Sequence, residues 1–364
     1  MTPEKRLMSE TKIKKTDLQN MTADEIRKYL GGTKVHAVSI QKGGTGKTLT
    51  TSDLGYTLAQ KGFKVLLIDA DPQASLSMLC GINIADLEVK GLQDIYDLYL
   101  QLDGEMDFDD IKDFLGVRPV YDKPIARNGS VTKEQIEFGF DLIPCNIVLS
   151  NYELMLSKTS TGAYILFNIL KLIKKRCDYD FILIDCPPGL GVITFSALAA
   201  SVDGVIVPVN LEVVTILGAK NLIDSVAQVQ KIIHDVKGIN HKGILGIVKN
   251  KYTARYTIQR DFSEIVDQFF PIPTFKTVIP NKTSCDAAHS LGRMYSEYDS
   301  SARTAFESLA YEVIAKDIER NDEKEMVVVE EFGEEVREMV LKQKEEKNRQ
   351  KRAKRAGKKK EEAK

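Results

Sequence analysis

Seven short apolar runs alternate with longer helical segments through most of this 364-residue chain. The runs cover residues 35–40, 65–69, 140–144, 181–185, 204–209, 244–248 and 275–279, and each is nearly continuous in Val, Ile and Leu. Such runs are typical of strands buried on both faces of a parallel sheet. Segments such as 49–61 and 164–175 supply the helical crossovers that parallel strands need. The pattern predicts an α/β fold over residues 34–320, a doubly wound, mostly parallel sheet with helices on both faces.

Three segments depart from this alternation. Residues 1–33 are polar and are predicted to hold one short helix, because Thr22 and Glu25 form a capping-box pair and Gly31 ends the apolar stripe. Residues 81–139 are acidic and irregular, and we expect an insertion with helices of its own. Residues 321–364 combine a Glu-rich amphipathic helix with a basic tail. The tail, residues 342–364, carries twelve Lys or Arg against four Glu, a local charge of +8 on a chain of net charge −1. Such a tail either meets nucleic acid or acidic surfaces or is a solubilising extension.

Composition excludes several classes of protein. The five cysteines contain no Cys-x-x-Cys pair, which argues against a zinc ribbon and against a disulfide framework. No apolar run approaches the roughly 18–20 residues of a transmembrane helix, and the polar N-terminus lacks a secretory signal. We therefore expect a soluble cytoplasmic protein.

A glycine-rich loop, Lys-Gly-Gly-Thr-Gly-Lys-Thr at residues 42–48, follows the first predicted strand and opens a helix. Strand, glycine loop and helix in this order are the context of a P-loop, in which backbone N–H groups and the helix N-terminus bind phosphate. Lys47 would reach the β- and γ-phosphates, and the Thr48 hydroxyl would ligate Mg²⁺. The general P-loop pattern has Gly where this chain has Gln41, and an additional lysine, Lys42, begins the loop.

This loop resembles the deviant Walker A box of the ParA/MinD group of P-loop ATPases, whose mark is the additional lysine. The resemblance covers about residues 34–318 and implies ATP and Mg²⁺ as cofactors. It also implies that Lys42 reaches across a homodimer to the partner's nucleotide, so that dimerisation depends on ATP. The predicted nucleotide contacts are those of Gly43, Gly44, Thr45, Gly46, Lys47, Thr48 and Leu49.

Acidic residues end two of the predicted strands. Asp69-Ala70-Asp71-Pro72-Gln73 resembles the D-x-D-P-Q box of ParA proteins, which implies that Asp71 orients the attacking water and that Asp69 supports the Mg²⁺ site. The apolar run that ends in Asp185 resembles a Walker B strand, whose Asp holds Mg²⁺. Carboxylates at the carboxyl edge of a parallel sheet face the ligand crevice.

Two later strand ends resemble the adenine side of the family's site. Asn250 would read the base, with Pro280 beside it, although an Asn at a strand end is also a common turn former. Where relatives have Arg-Asn after this proline, the chain has Asn281-Lys282, which puts one basic contact in doubt.

Non-specific DNA binding needs only Lys and Arg side chains that face phosphates. The candidates are Lys249, Lys251, Arg255, Arg260 and Lys282, with Lys276 in addition, and each alone could be an ordinary solvated charge.

The resemblance favours a ParA-type ATPase that partitions plasmid or chromosomal DNA on the nucleoid and whose hydrolysis is stimulated by a centromere-binding, ParB-like partner. A MinD-like ATPase acting on a membrane surface is the alternative. The Glu-rich polar face of the C-terminal helix argues against it, because anionic lipid would repel that face. A metabolic P-loop ligase of the dethiobiotin synthetase type, which shares the fold, is a third possibility.

Overall fold

The computed structural model describes residues 15–82, 89–115, 117–127, 130–159, 161–253, 259–260, 263–264, 266 and 272–322. The strands are β1 (Lys34–Val38), β2 (Val65–Asp69), β3 (Val120–Arg127), β4 (Ser130–Glu137), β5 (Asp141–Ile143), β6 (Phe181–Asp185), β7 (Gly204–Asn210), β8 (Ile244–Tyr252) and β9 (Thr274–Pro280). The helices up to β6 are α1 (Lys15–Leu18), α2 (Ala23–Leu30), α3 (Lys47–Gln60), α4 (Ser75–Leu79), α5 (Leu92–Gln101), α6 (Phe108–Ile111), α7 (Leu149–Leu156) and α8 (Ile165–Arg176). Those after it are α9 (Val192–Ala200), α10 (Val213–Lys237), α11 (Thr283–Ser290), α12 (Tyr295–Tyr298) and α13 (Ser300–Glu319).

Seven of the strands form one sheet in the order β5-β2-β6-β1-β7-β8-β9. Every pairing in it is parallel. All seven runs predicted from the sequence are strands of this sheet, so the predicted fold is confirmed. The chain moves from β1 to β2 on one side and later to β7 on the other, so the order reverses beside β1. Ligands of open α/β sheets bind at such a reversal, outside the carboxyl ends of the strands.

Successive side chains of each strand point to opposite sides of the sheet, and helices cover both sides. Leu66 and Ile68 of β2 enter one hydrophobic cluster, which helices α5, α8, α9 and α10 cover. Val65 and Leu67 of the same strand enter a second cluster, which α3 and α13 cover. The sheet is therefore the middle of three layers.

The N-terminal helices belong to the second cluster. The predicted capping box is present, with the Glu25 amide bonded to the Thr22 hydroxyl, and Gly31 ends α2 in the left-handed conformation. Leu18 of α1 and Leu30 of α2 are fully buried in the cluster that contains α13. These few apolar side chains therefore anchor a largely polar segment to the core.

The segment between β2 and β5 contains α5 and α6, and also an antiparallel hairpin of β3 and β4 that the sequence analysis did not predict. The strands are rich in charged residues and include Pro124, so their alternation is weak. Asn-Gly at 128–129 is the sequence signal that could have revealed the hairpin. Over the described residues, no helix is long and apolar enough to cross a membrane. The predicted Glu-rich helix and basic tail lie outside the described residues.

Candidate phosphate-binding site

The glycine-rich loop lies at the carboxyl end of β1, the central strand of the sheet. Gly44 and Gly46 have φ values of +74° and +91°, in the left-handed region that glycine adopts without steric strain. α3 begins directly after Gly46, and its first residue, Lys47, is buried. A turn of this kind followed by a helix N-terminus forms a concave anion site.

Asn250, near the end of β8, supports the glycine-rich loop through hydrogen bonds. Its fully buried side-chain amide donates to the carbonyl oxygens of Thr45 and Gly46, at 3.1 and 3.3 Å, and to the Thr50 hydroxyl at 3.0 Å. A Cβ at position 46 would lie 2.6 Å from the Asn250 Nδ2, so this contact also requires glycine. Asn250 Oδ1 has no hydrogen-bond partner among the described residues. The structure therefore gives Asn250 a loop-supporting role that the sequence analysis missed, and base reading stays a prediction.

Asp185 and Thr48 meet at the base of the loop. The Thr48 hydroxyl donates to Asp185 Oδ2 at 2.7 Å, and the Thr51 hydroxyl, one turn along α3, donates to Asp185 Oδ1 at 3.2 Å. Asp185 is fully buried, and in the register of β2 and β6 it lies opposite Asp69. The parallel register thus brings together the two carboxylates that the sequence analysis placed at separate strand ends.

Asp69 and Asp71 differ in their surroundings. The fully buried Asp69 accepts hydrogen bonds from the backbone and hydroxyl of Ser77, at 2.8 and 2.7 Å, and from the Asp71 amide at 3.2 Å. Asp69 therefore braces the turn between β2 and α4. Asp71 accepts a hydrogen bond from the Gln73 amide at 2.9 Å and is about nine-tenths buried at the same edge.

Burial and mutual repulsion set the charges of these acids. Burial, with the neighbouring Asp69, raises the pKa of Asp185, whereas Thr48 and Lys47 oppose the rise. Burial also raises the pKa of Asp71, against the Gln73 amide and the charge of Lys47. Without a cation these acids therefore resist ionisation, and a bound cation would offset the burial and the repulsion.

The residues present fit Mg²⁺ held partly by a nucleotide. Mg²⁺ prefers oxygen ligands and usually binds through one or two protein groups, with water and phosphate completing its shell. The Thr48 hydroxyl and the Asp185 carboxylate supply two such oxygens in contact. Within the described ranges, no group of three His, Cys, Asp or Glu side chains could hold a metal without such help.

The Lys42 side chain contacts residues of its own chain in this structure. Its ammonium group donates to Glu212 Oε2 and to the Thr215 hydroxyl, both at 3.2 Å, at the junction of β7 and α10. The same junction supports the loop through Asn210, whose amide donates to the Gly44 carbonyl at 3.3 Å. The sequence analysis missed this junction, because only the sheet topology shows that β7 lies beside β1.

The remaining predicted contacts lie in different environments. Leu49 is buried in α3, and Pro280 is half-buried, with its carbonyl 3.4 Å from the Tyr295 hydroxyl.

Of the predicted DNA contacts, Lys251, Arg260, Lys276 and Lys282 are exposed. Lys282 pairs with Asp299 at 3.3 Å. Lys249 is buried within β8, so this structure does not present it to a DNA phosphate, and Arg255 lies outside the described residues. Lys249 is buried because β8 is covered on both faces through Asn250, so its side chain is enclosed whichever face it points to.

Comparisons with known proteins identify the family. The sequence model of an AAA domain matches residues 33–237. The sporulation initiation inhibitor protein Soj of Bacillus subtilis is 34% identical over 284 residues, which cover 78% of this chain and 98% of Soj. The chromosome partitioning protein ParA of Caulobacter vibrioides is 31% identical over 289 residues, 79% of this chain and 96% of that protein. The chain belongs to the ParA family of P-loop ATPases.

A solved structure supports the fold of this ParA-family chain. Cobyrinic acid a,c-diamide synthase from Mycobacterium smegmatis, with bound ADP and magnesium, aligns with a TM-score of 0.57 and 26% identity. The alignment covers 82% of this chain and 99% of the synthase. The resemblance that was carried by residues 42–48 and 69–73 is thus confirmed over most of the chain.

Proposed function

We propose that this chain is a partition ATPase that binds and hydrolyses ATP with Mg²⁺ at the loop of residues 42–48. The observation that carries the proposal is the convergence of that loop with Asp71 and with the Thr48–Asp185 pair at one edge of the sheet. Relatives named for chromosome partitioning, such as the Caulobacter ParA, support the same assignment.

The residues of the site divide the work of hydrolysis. Backbone N–H groups of residues 43–48 bind the phosphates, and Lys47 places a positive charge beside the phosphoryl group that is transferred. Thr48 and Asp185 would hold Mg²⁺, which neutralises phosphate charge when it is bound. Asp71 orients the attacking water, and Asp69 keeps the turn of Asp71 in place through Ser77.

Lys42 supplies a switch between monomer and dimer. On its own chain it pairs with the half-exposed Glu212 at 3.2 Å, an interaction worth little at a solvated surface. Contact with a partner's phosphates would be stronger, since a bound nucleotide carries several charges. Lys42 therefore leaves Glu212 when two ATP-loaded copies meet, so that dimerisation follows ATP binding.

DNA binding follows from exposed basic side chains on the dimer. Lys251, Arg260, Lys276 and Lys282 are the described candidates, whereas the buried Lys249 is omitted. Contacts of this kind neutralise phosphates without reading bases, so binding weakens steeply as salt rises. Binding to the nucleoid and release by a ParB-like, centromere-bound partner that stimulates hydrolysis complete the proposed cycle.

A co-sedimentation assay tests the proposal. The full chain is mixed with plasmid DNA or with anionic liposomes, each with ATP, with ADP and without nucleotide. The proposal expects ATP-dependent binding to DNA that is lost at high salt. ATP-dependent binding to liposomes alone would instead assign a MinD-like role at a membrane surface.

One observation favours a second candidate, a metabolic P-loop ligase. The 26% identity to cobyrinic acid a,c-diamide synthase over most of both chains is compatible with a small-molecule substrate. ATP turnover by the purified chain with DNA and no small carboxylic acid present would exclude this candidate. Turnover that requires such a substrate would support it.

A further inference from the structure

An apolar groove rimmed by lysines lies at the amino edge of the sheet, between α8 and the C-terminal ends of α9 and α10. Its volume is about 330 Å³. The apolar side chains that line it are Phe167, Leu170, Ala200, Val202 and Ile239. The charged side chains that line it are Lys171, Lys174 and Lys237. Among the described residues that line this groove, none is acidic.

All three lysines of the rim are exposed and accessible to a partner. Lys237 lies 5.4 Å from the Tyr164 ring centroid. Lys174 lies 3.7 Å from an oxygen of Asp203, but that carboxylate is shared with Lys34 at 3.9 Å, and the Lys174 side chain is still about one-third exposed. A small anion would bind such a rim and leave the apolar floor in water. An acidic amphipathic helix would cover the floor and meet the rim.

The described chain ends beside this groove. After α13, the carbonyl of Arg320 accepts a hydrogen bond from the Lys242 side chain, and the Lys242 amide donates to the carbonyl of Val202 at 2.9 Å. Val202 lines the groove. On the other side, Asn321 bonds to Lys34, which lies 3.9 Å from Asp203, the residue that faces Lys174. Both routes join the end of α13 to the rim.

The sequence that follows has the complementary character. Residues 327–340 contain five Glu against one Arg, a local charge of −4. Val328, Phe332, Val336 and Met339 recur at three- to four-residue spacing and define one apolar stripe. Gly333, within the same segment, lowers the intrinsic stability of a helix by about 1 kcal/mol relative to Ala. A helix of this composition needs a surface to pack against.

We propose that residues 327–340 dock as a helix into the lysine-rimmed groove of their own chain. The apolar stripe covers the floor, and the Glu side chains lie against Lys171, Lys174 and Lys237. The connection is long enough, because the five residues from 322 to 327 reach about 17 Å when extended.

Hydrogen–deuterium exchange of the full chain, read by mass spectrometry, tests the proposal. Amides of 327–340 should exchange roughly tenfold or more slowly than an unstructured chain of the same sequence. Lys171→Glu with Lys237→Glu should remove this protection, and so should Glu334→Lys with Glu335→Lys. Combining all four substitutions should restore it. The control is Lys175→Glu with Lys231→Glu, which makes the same charge change on the same helices outside the groove.

Three outcomes would overturn the proposal. One is exchange of 327–340 at the unstructured rate in the wild-type chain. Another is protection that rises with protein concentration and falls on dilution, since this would place the segment on a second copy. The third is protection unaffected by the groove substitutions. None of these outcomes depends on nucleotide or DNA, so the proposed function is tested separately.

Discussion

Replacing Asn250 with Ala removes the buried amide that holds the phosphate loop from below. Its two N–H groups serve three acceptors, the Thr45 and Gly46 carbonyls and the Thr50 hydroxyl, at 3.0 to 3.3 Å. Each hydrogen bond contributes about 1 kcal/mol net, and buried carbonyls left without a donor add to the loss. We expect the free energy of unfolding to fall by about 2–4 kcal/mol. If 2 kcal/mol of this loss falls on the loop conformation that binds nucleotide, the affinity for ATP falls about thirtyfold.

The assay compares ATP, GTP and inorganic tripolyphosphate by calorimetry, together with thermal unfolding of the unliganded chain. A loop-supporting Asn250 predicts that the Ala variant loses affinity for all three ligands by a similar factor. Asn210→Ala is the matched control, because that amide makes a single 3.3 Å contact to the Gly44 carbonyl, and its effect should be much smaller. Loss of ATP affinity with tripolyphosphate affinity unchanged would refute the reasoning and return Asn250 to base reading.

Five further substitutions test separate parts of the site and of the core. Lys47→Ala should lower ATP affinity about a hundredfold or more, since it removes charge-assisted contacts, and unchanged affinity in a titration would disprove the phosphate site. Asp71→Ala should keep ATP binding but slow hydrolysis by about two to four orders of magnitude, and normal turnover in a phosphate-release assay would move the water-orienting role elsewhere. Lys42→Ala should remain monomeric with ATP in light scattering, whereas Glu212→Gln should dimerise at least as well as the wild type. A Lys42→Ala dimer would contradict the cross-dimer role. Asp53 is fully buried in α3, where its carboxylate accepts hydrogen bonds from the backbone amide and hydroxyl of Ser296 at 2.6 and 2.7 Å. Asp53→Asn should raise the free energy of unfolding above pH 6. Burial raises the pKa of Asp53 to about 6 from 3.8, so the folded state binds more protons than the unfolded state between these values, and the wild type loses up to about 3 kcal/mol as pH rises through them. Urea unfolding from pH 4 to 8 measures this difference, and an equal pH dependence in both proteins would contradict it.

The order of the seven apolar runs, the loop at 42–48 and the acids at strand ends were predictable because each depends on local pattern. A strand buried on both faces must be apolar throughout, and a phosphate turn needs glycine and lysine at fixed spacing. The charged hairpin of β3 and β4 was missed, since neither strand alternates clearly. The burial of Lys249 could not be inferred, because it depends on which elements pack over β8, and those elements are remote in the sequence.

The sequence by itself determined that this chain folds as a parallel α/β sheet, with a phosphate loop after its first strand and a basic tail at its end. Only the tertiary structure decided which side chains meet. It placed Asp185 opposite Asp69, Asn250 under Gly46, and Lys42 against Glu212, a residue 170 positions away. The physical reason is that strand order and register set distances between residues remote in the chain. Local pattern determines the elements, but it carries no information on that register.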